Sequence, residues 1–250
     1  MKIVFFLLFV LVYGLNAQGI YASFYVQADK NANLAFDASG IVKRVFVDIS
    51  SSVKKGDKLV ELVNDETKAS LEIAKAELAS AEVIYKYAQR DYNRWEKIGD
   101  IVDEAKLDVY ALAYEKAKTL LNEAKASVAY QEELYSKTFL YAPFDGAIYE
   151  KNVEAGDVVN AMNLKTILKI QSINKRKLII EFDQKYWKQV KVGQSFLYKI
   201  DGDTVQHRAN IVKIYPSINQ ESRKIRAEVE AKDFLVGLFG DGYIQTEVKE

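Results

Sequence analysis

Few residues of this sequence could carry out chemistry. Its 250 residues include no cysteine, one histidine and two methionines, which excludes a thiolate nucleophile or a disulfide and leaves little for a soft metal ion. The histidine, His207, is followed by Arg208 in a predicted strand with no metal-ligand cluster beside it, and we predict a surface position for it. The sequence contains no Gly-rich phosphate loop, serine elbow or helical histidine pair. We therefore expect a protein that is not an enzyme and has no catalytic, cofactor-binding or metal-binding residues.

The charge balance and the length of the chain also limit the classes of protein to which it could belong. Thirty-five basic residues balance thirty-five acidic ones, so no electrostatic footprint indicates nucleic acid as a partner. The chain is long enough to build more than one hydrophobic core.

The first 17 residues have the pattern of a targeting segment. Lys2 precedes an apolar run over residues 3–12, and Ala17 is a small residue at a plausible cleavage position. The run is short for a full membrane span, and both a cleaved signal peptide and a retained anchor remain open. Either would place the mature chain outside the cytoplasm.

A strict seven-residue repeat dominates residues 66–137. Apolar positions seven apart, with a second row offset by three, are the a and d positions of a coiled coil. We predict two antiparallel helices of about 50 Å each at ~1.5 Å per residue, with tyrosines filling the interface opposite alanines. The predicted core is formed by Leu71, Leu78, Tyr85 and Tyr92 on the first helix and by Leu107, Tyr114, Leu121 and Val128 on the second.

An internal repeat flanks this hairpin. Aligning Gly40 with Gly146 also aligns Val47 with Val153, which predicts two half-motifs, 37–65 and 138–172, that pair into one β-sandwich. Residues 18–36 are predicted to be a β-segment that joins a small β-barrel formed by 173–250. The predicted fold is thus α+β, mainly β, with a coiled-coil hairpin inserted in a split sandwich and followed by a barrel.

This order of elements resembles the periplasmic adaptors of bacterial tripartite efflux pumps, also called membrane fusion proteins. In that family the split sandwich is a lipoyl-like domain. The resemblance gives structural roles in the lipoyl motif to residues of the two half-motifs, namely Gly40, Gly56, Pro143, Gly146 and Gly156.

Two features depart from carrier domains and from longer adaptors. Lys68 lies in a segment that resembles the modified lysine of lipoyl and biotinyl carriers, but here it falls in the first turns of a predicted helix, so we expect no modification. The sequence also ends about ten residues after Gly240, and the resemblance then implies that a membrane-proximal domain is absent or vestigial.

The resemblance implies that the hairpin tip contacts an outer-membrane channel. Arg94 matches an arginine of adaptors for TolC-like channels, Ile98 replaces a leucine and Asp103 replaces a serine. Two apolar residues in the turn are unusual for a purely structural loop. The implied contact residues are Arg94, Ile98, Gly99, Asp100, Ile101, Val102 and Asp103.

The expected function is a periplasmic adaptor in a Gram-negative bacterium, associated with the inner membrane and its surface. It would assemble into a hexameric ring that links an inner-membrane transporter, of the proton-driven RND class, to a TolC-like channel. An ATP-driven transporter and a free-standing envelope scaffold remain open alternatives. A carrier domain of an enzyme is disfavoured by the split motif.

Overall fold

The computed structural model describes residues 18–98, 104–163, 165–231 and 233–246. The chain divides into two compact units: the residues up to Asn31 together with those from Ser172 onward, and residues 32–171. In chain order the elements are β1 (Gln18–Ala28), β2 (Asn31–Leu34), β3 (Gly40–Val45), β4 (Ser52–Val53), β5 (Lys58–Leu62), α1 (Asp65–Glu96), α2 (Glu104–Ser136), β6 (Phe139–Tyr141), β7 (Gly146–Lys151), β8 (Val158–Val159), β9 (Leu168–Gln171), β10 (Arg176–Asp183), β11 (Ser195–Ile200), β12 (His207–Ile218), β13 (Lys224–Ala231) and β14 (Phe239–Thr246).

The first unit is a closed six-stranded barrel in the order β1-β10-β13-β12-β11-β14. Alternate residues point inward, as a period of two requires, and they bury an apolar core. Its largest buried side chains are Phe24, Phe182 and Phe196, each no more than 2% exposed. Closure of the barrel leaves its strands without free edges.

The second unit contains two four-stranded sheets, β2-β9-β7-β4 and β6-β5-β3-β8. Strands from both half-motifs occur in each sheet. The backbone N–H of Ser50 donates to Ile148 O at 2.8 Å, and that of Gly156 donates to Val42 O at 2.8 Å. These two bonds are equivalent under the repeat that aligns Gly40 with Gly146, so the halves are related by an approximate two-fold axis.

The N-terminal β-segment divides between the two units. The prediction that all of 18–36 joins the barrel is wrong, because only β1 lies there and β2 pairs with β9 in the sandwich. Leu34 and Phe36 are buried in the sandwich core. The strand alternation of the segment was visible in the sequence, but its choice of sheet depended on partners more than 100 residues away.

The two helices pack against each other in antiparallel directions. Their junction with the sandwich is bound by polar contacts: Asn64 Nδ2 donates to Thr138 Oγ1 at 3.2 Å, and Leu62 N donates to Thr138 O at 2.8 Å. Asn64 and Thr138 are both buried, so these bonds fix the start of α1 against the end of α2.

Candidate docking site

The half of the hairpin next to the sandwich has a small, aliphatic interface. Leu71, Ala74 and Val128 form one buried cluster, with Leu78 and Tyr135 packed on it. A second cluster of Ala81, Leu121 and Ala124 follows, flanked by Leu78 and Tyr85. Small residues let the two backbones approach each other, which is the packing that the heptads indicate.

The half away from the sandwich is packed by aromatic rings. Tyr114 lies 5.6 Å from Tyr85 and stacks on Tyr92 at 5.3 Å, between ring centroids. Trp95 stacks on Tyr110 at 5.3 Å. The predicted pairing of tyrosines with alanines is therefore wrong in this half, where rings from both helices meet. Stacked rings bury large areas at low cost in side-chain entropy.

Hydrogen bonds hold these rings in place. The Tyr85 and Tyr114 hydroxyls lie 3.3 Å apart, and Gln89 Nε2 donates to Tyr85 Oη at 3.1 Å. The bond with Tyr114 and burial raise the pKa of Tyr85. Tyr92 donates to Glu96 Oε1 at 3.0 Å, which raises the pKa of Tyr92. The end of α1 is thus tied to its aromatic interface.

Two of the predicted contact residues lie at this end of α1. Arg94 has a side chain that is 61% exposed, and its Nη1 is 3.9 Å from Asp91 Oδ1. Ile98 follows the helix and is 41% exposed. Nearby, Lys106 Nζ lies 4.3 Å above the Trp95 ring. The surface therefore combines cations with an exposed aliphatic side chain. The other predicted contacts, Gly99, Asp100, Ile101, Val102 and Asp103, lie outside the described residues.

The glycines of the lipoyl motif serve two different purposes. Gly56 and Gly156 have φ values of +89° and +96°, which L side chains rarely adopt. Gly40 and Gly146 instead permit close packing. A Cβ on Gly146 would collide with the Gln171 carbonyl oxygen, whereas one on Gly40 would lie 3.3 Å from the Leu62 side chain. Pro143 is exposed in the turn before β7.

Two residues that could carry chemistry have structural surroundings. Lys68 lies in the first turns of α1, where its N–H donates to Asn64 O at 2.9 Å. His207 is half-buried rather than on the surface as predicted: it stacks on Tyr198 at 5.4 Å and meets the edge of Phe234 at 5.2 Å. Its Nε2 is buried without a hydrogen bond in the described chain, 3.8 Å from Asp203 Oδ2.

Two broader features bear on function. Within residues 18–98, 104–163, 165–231 and 233–246, no group of three or more His, Asp or Glu side chains could hold a metal ion. None of the helices described there is both long and apolar enough to cross a membrane. The predicted targeting segment, 1–17, lies outside these ranges.

The chain is similar in sequence to known proteins. No family model matches the chain. It is 25% identical over 202 residues to an uncharacterized protein of Haemophilus influenzae, covering 79% of this chain and 48% of that protein. It is 23% identical over 214 residues to the cobalt-zinc-cadmium resistance protein CzcB of Cupriavidus metallidurans, covering 80% of this chain and 39% of that protein. The chain thus spans about half the length, or less, of these curated relatives.

Solved structures match over nearly the whole chain. A MacA–MexA chimera that contains the Pseudomonas aeruginosa MexA α-hairpin domain has a TM-score of 0.74 at 21% identity, over 92% of this chain and 82% of the other. A membrane fusion protein of Streptococcus pneumoniae has a TM-score of 0.72 at 14% identity, over 92% and 100%. MacA of Actinobacillus actinomycetemcomitans has a TM-score of 0.70 at 20% identity, over 92% and 80%.

These matches confirm the resemblance inferred from the repeat and the hairpin. The structural neighbours are membrane fusion proteins, or periplasmic adaptors, and the chain has their fold, with a six-stranded barrel and two helices.

Proposed function

We propose that this chain is a periplasmic adaptor of a tripartite efflux system, which links an inner-membrane transporter to a TolC-like outer-membrane channel. The observation that carries this proposal is the hairpin: two helices of 32 and 33 residues, inserted between the two half-motifs of a sandwich. Such an insertion carries its far end about 50 Å away at ~1.5 Å per residue. A hairpin of that length is not needed to stabilise the sandwich, so we infer that its far end has a function of its own.

The far end of the hairpin is the proposed channel contact. Arg94 is exposed and only weakly paired at 3.9 Å, so its guanidinium is available to carbonyl or carboxylate groups of a partner. Ile98 offers an apolar contact beside it. Below them, stacked rings from both helices hold the ends of α1 and α2 together, which favours docking with a small loss of entropy.

The outer sides of both helices support the proposed self-association into a hexameric ring. Ile73 and Ile84 are 61% and 47% exposed; they are eleven residues apart, close to three helical turns, and so lie on one side of α1. On α2, Val109 and Leu120 have the same spacing and are 64% and 42% exposed. Apolar stripes outside the helix–helix interface are typical of a surface that packs on another chain.

The proposed transporter is of the RND class, because adaptors of this class commonly have hairpins of this length. The proposed location is the periplasm of a Gram-negative bacterium, at the inner membrane. The coupling is mechanical: the adaptor seals a conduit between its two partners and needs no reacting group of its own.

A photocrosslinking scan tests the channel contact. The photoreactive residue is placed at each position from 94 to 103 in cells that contain the channel, and Tyr130, which is 62% exposed on α2 nearer the sandwich, is the control position. We expect channel crosslinks at Arg94 and Ile98 but not at Tyr130. Channel crosslinks found only elsewhere on the hairpin would refute the docking assignment, and co-purification with neither membrane partner would refute the adaptor function itself.

A further inference from the structure

An unassigned groove lies on the outside of the barrel, between β1 and β14. Its volume is about 370 Å³, and it is open to solvent on one side. Tyr21, Ser23, Tyr25, Phe239 and Asp241 line it. The strand register pairs Ser23 with Asp241 and Tyr25 with Phe239, and it places Tyr243 beside Tyr21 at the border of the groove.

Aromatic rings form the two ends of this groove. Tyr21 and Tyr243 meet edge to face at 5.9 Å, and Tyr25 and Phe239 lie 6.3 Å apart. The two pairs are four residues apart along the strands, or about 14 Å at ~3.4 Å per residue. Tyr21, Phe239 and Tyr243 are 55%, 63% and 51% exposed, so part of each side chain is accessible from solvent.

The middle of the groove is low and contains carboxylates together with the Lys224 ammonium, whose Nζ donates to Ser23 Oγ at 3.5 Å. Ser23 is small, and Asp241 opposite it lies between the buried glycines Gly240 and Gly242. Asp201 and Glu181 also line the groove.

The charge of the groove is only partly compensated. Glu181 is paired with Lys224 at 3.7 Å, and Lys199 faces Asp241 in the strand register. Within the described chain, however, neither Asp201 nor Asp241 has an ion-pair partner within 4.0 Å or a side-chain hydrogen bond.

We propose that this groove binds a small organic cation with an apolar body. The ring faces attract a cation within about 6 Å of their centroids, and they also cover its apolar part. Asp241 and Asp201 provide the countercharge at the floor. A small inorganic cation would have to shed strongly held water to reach the rings and has no apolar body for them to cover, and a neutral apolar ligand would gain nothing from the carboxylates, so the combination favours a quaternary or alkylated ammonium ion. This proposal concerns the barrel and does not depend on docking by the hairpin.

The test is calorimetric titration of the whole chain with benzyltrimethylammonium, compared with its neutral tert-butyl isostere. We expect saturable binding of the cation that weakens at high salt, and no measurable binding of the isostere. Asp241→Asn and Phe239→Ala should each weaken binding by about fivefold, because each removes one exposed electrostatic or cation–π contact.

Matched controls separate the groove from the rest of the surface. Asp108→Asn on α2 and Trp187→Ala on the barrel change exposed residues that do not line the groove, and binding by both should equal that of the unaltered chain. Circular dichroism would show that the groove variants remain folded.

Three results would overturn the proposal. They are equal binding of the cation and its neutral isostere, undiminished binding by both groove variants, and tighter binding of a short arginine peptide than of any organic ammonium ion. The last result would assign the groove to a protein partner rather than to a small cation.

Discussion

Two neighbouring arginines on α1 share one carboxylate but differ in their surroundings. Arg90 Nη2 is 3.2 Å from Asp91 Oδ1, and its guanidinium lies 4.6 Å from the Tyr87 ring centroid. Arg94 reaches the same oxygen only at 3.9 Å. Because Arg90 is already engaged on its own helix, Arg94 is the arginine left for a partner.

Arg94→Ala should abolish or strongly reduce channel crosslinking from position 98 while leaving the stability of the chain within about 0.5 kcal/mol, as for other exposed substitutions. Arg90→Ala is the matched control, because it removes an arginine from the same helix and the same carboxylate. The measurements are crosslink yield in cells and urea unfolding of the purified chain. Equal losses of crosslinking in the two variants would mean that only overall charge matters.

The two repeat-related glycines should respond differently to a methyl group. In Gly146→Ala the new Cβ would collide with the Gln171 carbonyl oxygen, which belongs to a paired strand and cannot move freely. We expect a loss of about 2–4 kcal/mol. Gly40→Ala meets the end of the flexible Leu62 side chain at 3.3 Å and should cost about 1 kcal/mol or less. Urea unfolding measures both, and equal costs would contradict the packing argument.

A partly buried hydrogen bond of the barrel, from Tyr215 to Glu228, should make the stability of the fold fall at alkaline pH. Tyr215 donates to Glu228 Oε1 at 2.6 Å, which, with some burial, raises the pKa of Tyr215 to about 12. An unfolded tyrosine has a pKa of about 10. The bond therefore contributes its full stability below pH ~10 and loses it as pH rises from about 10 through about 12.

Tyr215→Phe should cost about 1 kcal/mol at neutral pH, a value discounted for partial exposure, and the cost should shrink over that alkaline range. The measurement is urea unfolding of both proteins at a series of pH values. Glu228→Gln keeps a hydrogen-bond acceptor but removes its charge, so it should reduce the pH dependence in the same direction and by less. Curves for Tyr215→Phe and wild type that stay parallel above pH 10 would contradict the assignment.

At the scale of elements, the hairpin has two kinds of interface along its length. Leucine, valine and alanine pack the half near the sandwich, and stacked rings pack the far half. The buried residues of α1, Leu71, Ala74 and Ala81, all lie in the near half, and Ala117 is the buried residue that α2 adds in the far half. The rings therefore carry most of the cohesion where docking is proposed.

Tyr114→Ala removes the ring that contacts both Tyr85 and Tyr92. We expect amide hydrogen exchange in the far half of the hairpin to accelerate about tenfold, which corresponds to roughly 1.4 kcal/mol of local stability. Exchange near Leu71 and Val128 should stay within about twofold of wild type. Val128→Ala is the matched control, with the reverse pattern expected. Uniform acceleration along both helices would show that the hairpin unfolds as one unit.

At the scale of the whole molecule, the chain combines a closed barrel with a second unit whose two helices expose apolar side chains. The barrel has no free strand edges, whereas the helices expose apolar stripes that nothing in the described chain covers. Association of several copies would bury those stripes. The adaptor function that we propose depends on this association, because one rod alone cannot enclose a conduit.

Ile73→Glu combined with Ile84→Glu should shift the chain from oligomer to monomer, because each substitution places a charge where the proposed assembly would bury an apolar side chain. Ala79→Glu adds a charge to an exposed position on a different side of the same helix, and it should leave the mass unchanged. Light scattering and native mass spectrometry measure the outcome. A six-fold assembly that survives the double substitution would place the contact between copies elsewhere.

The sequence alone determined the features that depend on local periodicity. The heptads specified two helices because residues seven apart lie on one side of a helix, and the Gly40–Gly146 repeat specified two equivalent halves. Other features depended on residues far apart in the chain. The division of 18–36 between barrel and sandwich, the stacking of Tyr114 on Tyr92 and the enclosure of His207 by Tyr198 and Phe234 arise only from tertiary packing. Paired strands and paired rings come together only when distant segments of the chain pack, and no local sequence pattern predicts which strand or ring will face which.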